Sequence, residues 1–164
     1  SINQCIFQTL EKLLSKYQII HQTGKADISK AQRLRSNLSS EIQKRYYVSS
    51  FIDQEFISAI KISDLIVSRS GSGVFEFAAS KKATILIPYP YASNDHQTAN
   101  ARFFSKKLAA KIIADNKLHS SVILAMIDNL FADKNKIKEL GKNFKESIKT
   151  NGLETIVKEL INYL

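Results

Sequence analysis

Residues 63–79, "SDLIVSRSGSGVFEFAA", place an apolar run, a glycine-rich turn and an apolar helical pattern in direct succession. The run over 64–68 is typical of a strand buried in a parallel sheet, and the spacing that follows predicts a helix over 72–81. Backbone N–H groups at the start of a helix attract negative charge, so this arrangement is a common way of building an anion site. The stretch therefore predicts a sheet topology and a candidate phosphate site together.

The same alternation of short apolar runs and helical patterns extends along the whole chain. Strands separated by helices predict right-handed βαβ units and a parallel sheet. We therefore expect an α/β fold, a Rossmann-like parallel sheet flanked by helices, as a single domain over residues 1–164. Further strands are predicted over 17–22, 46–51, 84–88 and 110–114. Helices are predicted over 2–15, 53–62 (with Asp53 as N-cap), 96–107, 119–132, 134–148 and 152–163, and residues 27–44 are expected to form a surface helix with a loop.

Composition limits the classes of protein but does not choose among them. The net charge is +9 and the one cysteine, Cys5, cannot form an internal disulfide, so a cytoplasmic location is expected. The charge fits solvated helix faces, attraction to anionic lipid headgroups, or attraction to nucleic acid. The lysines are dispersed along 105–149 and are not interleaved with exposed aromatics, which argues against nucleic acid.

The glycine-rich turn carries the first candidate site. Its backbone N–H groups and hydroxyls suit an anion, Arg69 adds positive charge nearby, and Glu76 is placed to accept hydrogen bonds from paired sugar hydroxyls. A tight turn in which Glu76 only favours the helix dipole remains an equal alternative. A dinucleotide site is excluded, because Glu76 occupies the third glycine position and the next strand ends in Pro88-Tyr89-Pro90 without an acidic residue. The turn residues concerned are Ser70, Gly71, Ser72 and Gly73.

A second candidate site follows the strand over 84–88. The stretch "YPYASNDHQTANA" (89–101) concentrates amide, carboxylate and imidazole groups, which suit a polyhydroxylated ligand. Asp95 also fits a helix cap with its neighbours merely exposed. At a third strand end, "HQTGK" (21–25), a plain turn at Gly24 is favoured over phosphate contacts from His21 and Lys25. The side chains of the second site are Asn94, Asp95, His96, Gln97 and Asn100.

Other chemistry finds no support in the sequence. His21, His96 and His119 are scattered and Cys5 is solitary, so no metal-ligand spacing is present. The chain contains neither the G-x-S-x-G elbow of serine hydrolases nor the G-x-x-x-x-G-K-[ST] phosphate loop. We therefore expect no metal and no cofactor.

Several of these stretches together resemble the C-terminal half of the MurG family. Its members are the UDP-N-acetylglucosamine transferases of peptidoglycan synthesis, glycosyltransferases of the two-domain GT-B type. The resemblance spans about residues 2 to 114 in the family's order, and the run "DHQTANA" after "IPYP" with "SRSG" upstream is a specific combination. The matching stretches are "HQTGK", "SFID", "SDLIVSRSGSGVFEFAA", "ILIPYPYASNDHQTANA" and "LAAKII".

The resemblance implies a role for individual residues. The ribose-binding glutamate falls on Glu76 and the phosphate-facing turn on Ser70, Gly71, Ser72 and Gly73. The uracil-contacting segment falls on Phe51 and Ile52, with the isoleucine backbone reading the base. The donor-sugar residues fall on His96, Gln97 and Asn100. No catalytic residue falls in this chain, because the family's base is expected in its N-terminal, acceptor-binding domain.

The sequence also departs from the family's pattern. The family has one more residue between Gly71 and the glutamate, including a threonine that faces phosphate, so here Ser72 must substitute or that contact is lost. A "GxP" turn is replaced by residues 81–83, and a glycine is replaced by Leu108. The chain opens in a helix, so the family's first strand, its "GGS" loop and its N-terminal domain are expected upstream of residue 1.

The function implied is donor binding in an inverting hexosyltransferase. The parent protein is expected to transfer N-acetylglucosamine from UDP-N-acetylglucosamine to lipid-linked muramoyl-pentapeptide, as a peripheral protein on the cytoplasmic face of the plasma membrane. The isolated chain is expected to bind UDP weakly and to catalyse nothing. Two alternatives remain open. One is a small donor-binding subunit of a two-chain N-acetylglucosaminyltransferase, and the other is a non-enzymatic nucleotide-sugar-binding module.

Overall fold

The computed structural model describes residues 2–148 and 152–163. Short strands and helices alternate through the first two thirds of this range, and helices close it, as the sequence predicts. The strands are β1 (Ile19–Gln22), β2 (Tyr46–Ser49), β3 (Leu65–Ser68), β4 (Ala83–Leu86) and β5 (Lys111–Ile112). The helices are α1 (Ile2–Leu14), α2 (Ile28–Ser36), α3 (Ser40–Gln43), α4 (Phe56–Ile62), α5 (Val74–Ala79), α6 (His96–Lys106), α7 (Ser120–Phe131), α8 (Lys134–Glu146) and α9 (Gly152–Asn162).

All the strand pairings in the described residues are parallel, which confirms the predicted fold class. β1 pairs with β2, with Ile19 opposite Tyr46. β3, β4 and β5 form a second ladder in that order, with Leu65 opposite Ala83. The expected sheet is thus divided into two ladders, and in the part of the chain that the structure describes no backbone pairing joins β1 to β3.

One hydrophobic core holds the two ladders together. It contains Tyr46 from the first ladder, Ile85 from the second, and Leu14 and Ile123 from the helices α1 and α7. Each of these side chains is at most 1% exposed, and burying such a side chain stabilises a fold by roughly 1.5–3 kcal/mol. A second cluster under α5, α6 and α8 includes Phe104 and Phe144. Side-chain packing therefore provides the connection that the backbone pairing does not.

The position of a strand within its ladder explains its burial. The apolar run of β3 predicts a buried strand, but β3 is only half-buried because it lies at the edge of its ladder, whereas every residue of the central strand β4 is buried. The predicted N-cap at Asp53 is wrong. The carbonyl of Asp53 instead accepts a hydrogen bond from the N–H of Phe56 at 3.0 Å, forming a turn that makes Glu55 the N-cap of α4.

None of the helices that the structure describes is long and apolar enough to cross a membrane.

Candidate functional site

Two rim loops of the second ladder are held together by a group of hydrogen bonds, which we call the rim clasp (Ser70, Tyr89, Gln97 and Asn100). The Ser70 hydroxyl donates to the carbonyl of Gln97 at 2.7 Å, and the Asn100 side-chain amide donates to the carbonyl of Ser70 at 3.0 Å. The N–H of Tyr89 donates to Oε1 of Gln97 at 3.0 Å. The clasp joins the turn after β3 to the start of α6, so the two sites predicted from sequence form one rim.

The residues of the rim clasp differ in burial and in the direction that their side chains face. Ser70 is fully buried, so its hydroxyl holds α6 in place and does not face solvent. Asn100 is half-buried, and its side-chain amide is directed at the turn. Gln97 has its Oε1 occupied by Tyr89, and its Nε2 lies 3.9 Å from the point where a Cβ on Gly71 would be. The free N–H groups of the Gln97 amide therefore face the glycine-rich turn.

The glycine-rich turn presents unoccupied backbone donors. Among the described residues, no hydrogen bond uses the N–H groups of Gly71, Ser72 or Gly73, while the carbonyls of these residues accept the first bonds of α5. α5 has only six residues, so its macrodipole is small and the free donors are the stronger attraction for an anion. Glu76 is exposed, and within the described chain its carboxylate makes no hydrogen bond or ion pair.

Arg69 does not supply the positive charge that the sequence places beside this turn. Its guanidinium donates to Asp115 at 2.6 Å and to the carbonyls of Ile87 and Pro88 at 3.2 Å. The same group lies 5.3 Å from the centre of the Tyr89 ring. Arg69 therefore holds the end of β4 to the segment after β5 and supports Tyr89, which in turn orients Gln97.

The loop before α6 has an unusual backbone. Asn94 and Asp95 both take the left-handed conformation, with φ of 53° and 52°, a combination that asparagine and aspartate tolerate better than other side chains. Asp95 occupies the N-cap position of α6, but its side chain accepts no cap hydrogen bond and stays exposed. Two consecutive left-handed residues cost free energy and are concentrated at functional loops.

His96 is exposed beside this loop with a defined ring orientation. Its Nδ1 lies 2.7 Å from the carbonyl of Ser93, which can only accept, so Nδ1 carries the proton. In the neutral ring Nε2 is then an unprotonated acceptor, available to a ligand hydroxyl. His96 and Gln97 thus present an acceptor and a donor side by side at the start of α6.

Phe51 and Ile52 lie at the carboxyl end of the other ladder, after β2. Phe51 is 66% exposed, whereas Ile52 is 6% exposed. The N–H of Ile52 donates to Oε1 of Gln22 at 2.9 Å, whereas the Ile52 carbonyl accepts no hydrogen bond from the residues that the structure describes. Sequence reasoning missed Gln22, because the contact crosses 30 residues.

His21 belongs to a buried network and not to a ligand surface. The Asn3 amide donates to the Thr23 carbonyl at 2.8 Å and to Asp27 at 2.7 Å, so its oxygen faces Nε2 of His21 at 3.0 Å and accepts from it. Nδ1 of His21 therefore accepts from the Tyr46 hydroxyl at 2.8 Å. Burial lowers the pKa of His21 to about 4, against a smaller opposing effect of Asp27. The network fixes the start of α1 to the end of β1.

Comparison with known proteins agrees with this architecture. A crystal structure of Acinetobacter baumannii MurG superposes with a TM-score of 0.75 at 23% identity, covering 98% of this chain and 46% of that one. The glycosyltransferase of kitacinnamycin superposes with a TM-score of 0.64 at 16% identity, over 96% of this chain and 38% of that one. The fold is therefore that of a GT-B glycosyltransferase half.

The family follows from sequence. The chain belongs to the glycosyltransferase family 28 C-terminal domain, whose family model matches residues 1–160. Two relatives carry the name UDP-N-acetylglucosamine--N-acetylmuramyl-(pentapeptide) pyrophosphoryl-undecaprenol N-acetylglucosamine transferase. The protein of Thermodesulfovibrio yellowstonii is 38% identical over 85% of this chain, and that of Desulforamulus reducens is 32% identical over 96% of it. The chain spans only 38% and 43% of the lengths of these two relatives.

Proposed function

We propose that this chain is the donor-binding half of an inverting N-acetylglucosamine transferase that uses UDP-N-acetylglucosamine. The observation that carries the proposal is the rim clasp. It sets three backbone N–H groups that make no hydrogen bond within the described residues beside the half-buried amide of Gln97 and close in sequence to Glu76. One rim of the second ladder then carries hydrogen-bond donors for a diphosphate, a carboxylate for a ribose and polar groups for a sugar. The names of the relatives support this choice of ligand.

Each part of the donor has a proposed partner. The diphosphate is bound by the N–H groups of the turn, with Ser72, exposed beside them, supplying a hydroxyl. Glu76 accepts hydrogen bonds from the ribose hydroxyls. The Ile52 carbonyl accepts from the imide N–H of uracil, and Phe51 covers the base. His96 and Gln97 contact the sugar, while Ser70 and Asn100 hold these partners in position.

The chemistry of this half is electrostatic. In an inverting transfer, an acceptor hydroxyl loses its proton to a base and attacks the anomeric carbon, while the bond to the diphosphate breaks and UDP leaves with the electron pair. Negative charge grows on the leaving diphosphate, where fixed N–H donors stabilise the transition state more than the ground state. The acceptor, a lipid-linked muramoyl-pentapeptide, and the base are assigned to the remainder of the longer protein, acting peripherally at the cytoplasmic membrane face.

Backbone amide NMR tests the donor site directly. The chain is titrated with UDP-N-acetylglucosamine, UDP-glucose and UDP. We expect shifts confined to residues 51–53, 70–76 and 94–100, with the 94–100 shifts present only for the two nucleotide sugars. Shifts scattered over the surface, or none at millimolar ligand, would overturn the proposal.

A turnover assay, and not the titration, separates the alternative functions, because all of them bind the donor. A small subunit of a two-chain transferase binds the donor in the same way but gains turnover only with its partner chain. A nucleotide-sugar-binding module without catalytic role shows binding and no turnover in any complex. Measurable transfer by the isolated chain would contradict the assignment of the base to another domain.

A further inference from the structure

The glutamine that ends β1 is bonded to the segment that follows β2. Gln22 lies opposite Ser49 in the parallel pairing of the two strands, and its Oε1 accepts from the N–H of Ile52 at 2.9 Å. The N–H of Thr23 also donates to the carbonyl of Ser49 at 2.9 Å, so backbone bonding between the two strand ends continues past β1. Gln22 therefore connects one strand of this ladder to the segment assigned above to the base.

Ser49 bonds to the same segment through its hydroxyl. The hydroxyl donates to the carbonyl of Phe51 at 2.7 Å and accepts from the N–H of Phe51 at 3.3 Å. The peptide group between Phe51 and Ile52 is thus bonded at both ends, at its carbonyl by Ser49 and at its N–H by Gln22. The side chain of Ile52 is also buried. Ile52 is therefore held at its N–H and at its side chain, which together restrict the direction of its carbonyl.

Gln22 decides which backbone groups this segment presents. The N–H of Phe51 is bonded to Ser49 and that of Ile52 to Gln22, whereas the Ile52 carbonyl accepts no hydrogen bond within the described residues. Phe51 and Ile52 thus present one unpaired backbone acceptor and no unpaired backbone donor. A backbone N–H can only donate, so the oxygen of the Gln22 side chain must face it. Removal of that oxygen leaves the N–H of Ile52 unpaired next to the carbonyl of the same residue.

The two pyrimidine bases differ at the group that such a segment meets. N3 of uracil carries a proton and donates, whereas N3 of cytosine is an acceptor. A carbonyl opposite N3 of cytosine sets two acceptors against each other with no proton between them, and this costs free energy. An unpaired N–H at the same place offers N3 of cytosine a partner. The state of the Ile52 N–H therefore bears on which base the segment binds.

We propose that Gln22 sets the preference of the donor site for uracil over cytosine, by keeping the N–H of Ile52 bonded. Gln22 is a positioning residue, because it acts through Ile52. The inference rests on the proposed function and extends it to a residue outside the set that meets the ligand. It also gives a role to a polar side chain that is exposed on β1 yet bonded to a buried residue.

Calorimetric titration of the chain with UDP and with CDP tests this role. The parent chain should bind UDP roughly tenfold or more tightly than CDP. Gln22→Leu should lose most of that preference, and Gln22→Ala, which adds no apolar bulk, should lose it as well. Gln22→Glu keeps an oxygen for the Ile52 N–H. Because its negative charge acts on both nucleotides alike, this variant should retain the preference.

Gln43→Leu is the matched control. Nε2 of Gln43 donates to the Leu38 carbonyl at 2.8 Å, so this variant also loses a hydrogen bond between a glutamine and the backbone, before β2 instead of after it. Its melting temperature should fall about as much as that of Gln22→Leu, whereas its ratio of affinities for UDP and CDP should equal that of the parent. A purely structural role of Gln22 would change the melting temperature and leave this ratio unchanged.

The titrations also distinguish a failure of this inference from a failure of the proposed function. A parent chain that binds neither nucleotide would contradict the proposed function, and the role of Gln22 with it. A preference for UDP that is kept in Gln22→Leu and Gln22→Ala, or is lost equally in Gln22→Glu or Gln43→Leu, would overturn the role of Gln22 and leave the donor site intact. Equal binding of UDP and CDP by the parent chain would overturn that role too.

Discussion

Gly141 in α8 lies directly against the backbone carbonyl of Lys81. A Cβ built on Gly141 would lie well inside van der Waals contact of the Lys81 carbonyl oxygen, 2.9 Å from its carbon and 3.4 Å from the nitrogen of Ala83. Lys81 itself is left-handed, with φ of 56°, in the turn between α5 and β4. The absence of a side chain at Gly141 therefore allows α8 to pack on the strand that forms the centre of its ladder.

Gly141→Ala should lower the free energy of unfolding by roughly 2 kcal/mol or more, because backbone and not a movable side chain opposes the new methyl group. Chemical unfolding followed by circular dichroism measures the change. Gly152→Ala is the matched control, since a Cβ there meets nothing within 4 Å, and it should leave stability unchanged or slightly raised. A Gly141 variant as stable as the parent would show that α8 does not pack in this way.

Glu76→Gln should weaken binding of UDP about tenfold or more, because a carboxylate accepts stronger hydrogen bonds from ribose hydroxyls than an amide does. Calorimetric titration with UDP and with its 2′-deoxy analogue measures both affinity and discrimination. The parent chain should prefer UDP, and the variant should lose that preference. Glu139→Gln, at an exposed position of α8, should behave as the parent. If Glu76→Gln kept the preference for the ribose, Glu76 would not be its partner.

Ser70→Ala should lower the free energy of unfolding by about 1 kcal/mol through loss of one buried hydrogen bond. Its specific effect should be on the sugar, because the lost bond holds Gln97. We expect binding of UDP-N-acetylglucosamine to weaken more than binding of UDP. Ser147→Ala loses a comparable buried bond, to the Phe144 carbonyl at 2.6 Å, outside the rim clasp. If both variants changed the ratio of the affinities for UDP-N-acetylglucosamine and UDP equally, Ser70 would have no specific positioning role.

The buried network of His21 should make stability depend on pH. The pKa of His21 is lowered from 6.5 to about 4, so the folded chain binds fewer protons than the unfolded chain between these values. The stabilisation is complete above about pH 6.5 and is lost as the pH falls towards 4, by up to about 3 kcal/mol. Unfolding measured at several pH values should show this slope, and His21→Gln should flatten it. An unchanged slope in that variant would assign the dependence to other groups.

The order and type of elements were predictable because they depend on local patterns. The run over 64–68 and the spacing after it give β3 and α5, and the polar start of α6 gives the second candidate site. The N-cap of α4 was not predictable, since residues 53–55 offer more than one polar candidate and the turn decides between them. Local patterns therefore place the site residues along the chain but leave their mutual contacts undetermined.

The rim clasp depends on contacts that periodicity does not contain. The hydrogen bonds of Ser70 to Gln97 and Asn100 cross 27 and 30 residues. A serine in a glycine-rich turn indicates a phosphate ligand from sequence, and only the tertiary packing shows that its hydroxyl is buried. The left-handed pair Asn94 and Asp95 also has no signal in sequence beyond the tolerance of these two residues for that conformation.

Because the strands form two ladders, a ligand that contacts both of them can hold the ladders together. Phe51 and Ile52 follow one ladder, and Glu76 and Gln97 follow the other. A nucleotide sugar that contacts both sets links two ladders that no backbone pairing joins within the described residues. Binding would then stiffen the domain as a whole, and amide hydrogens of β1 and β3 would exchange more slowly in its presence, although neither strand touches the ligand.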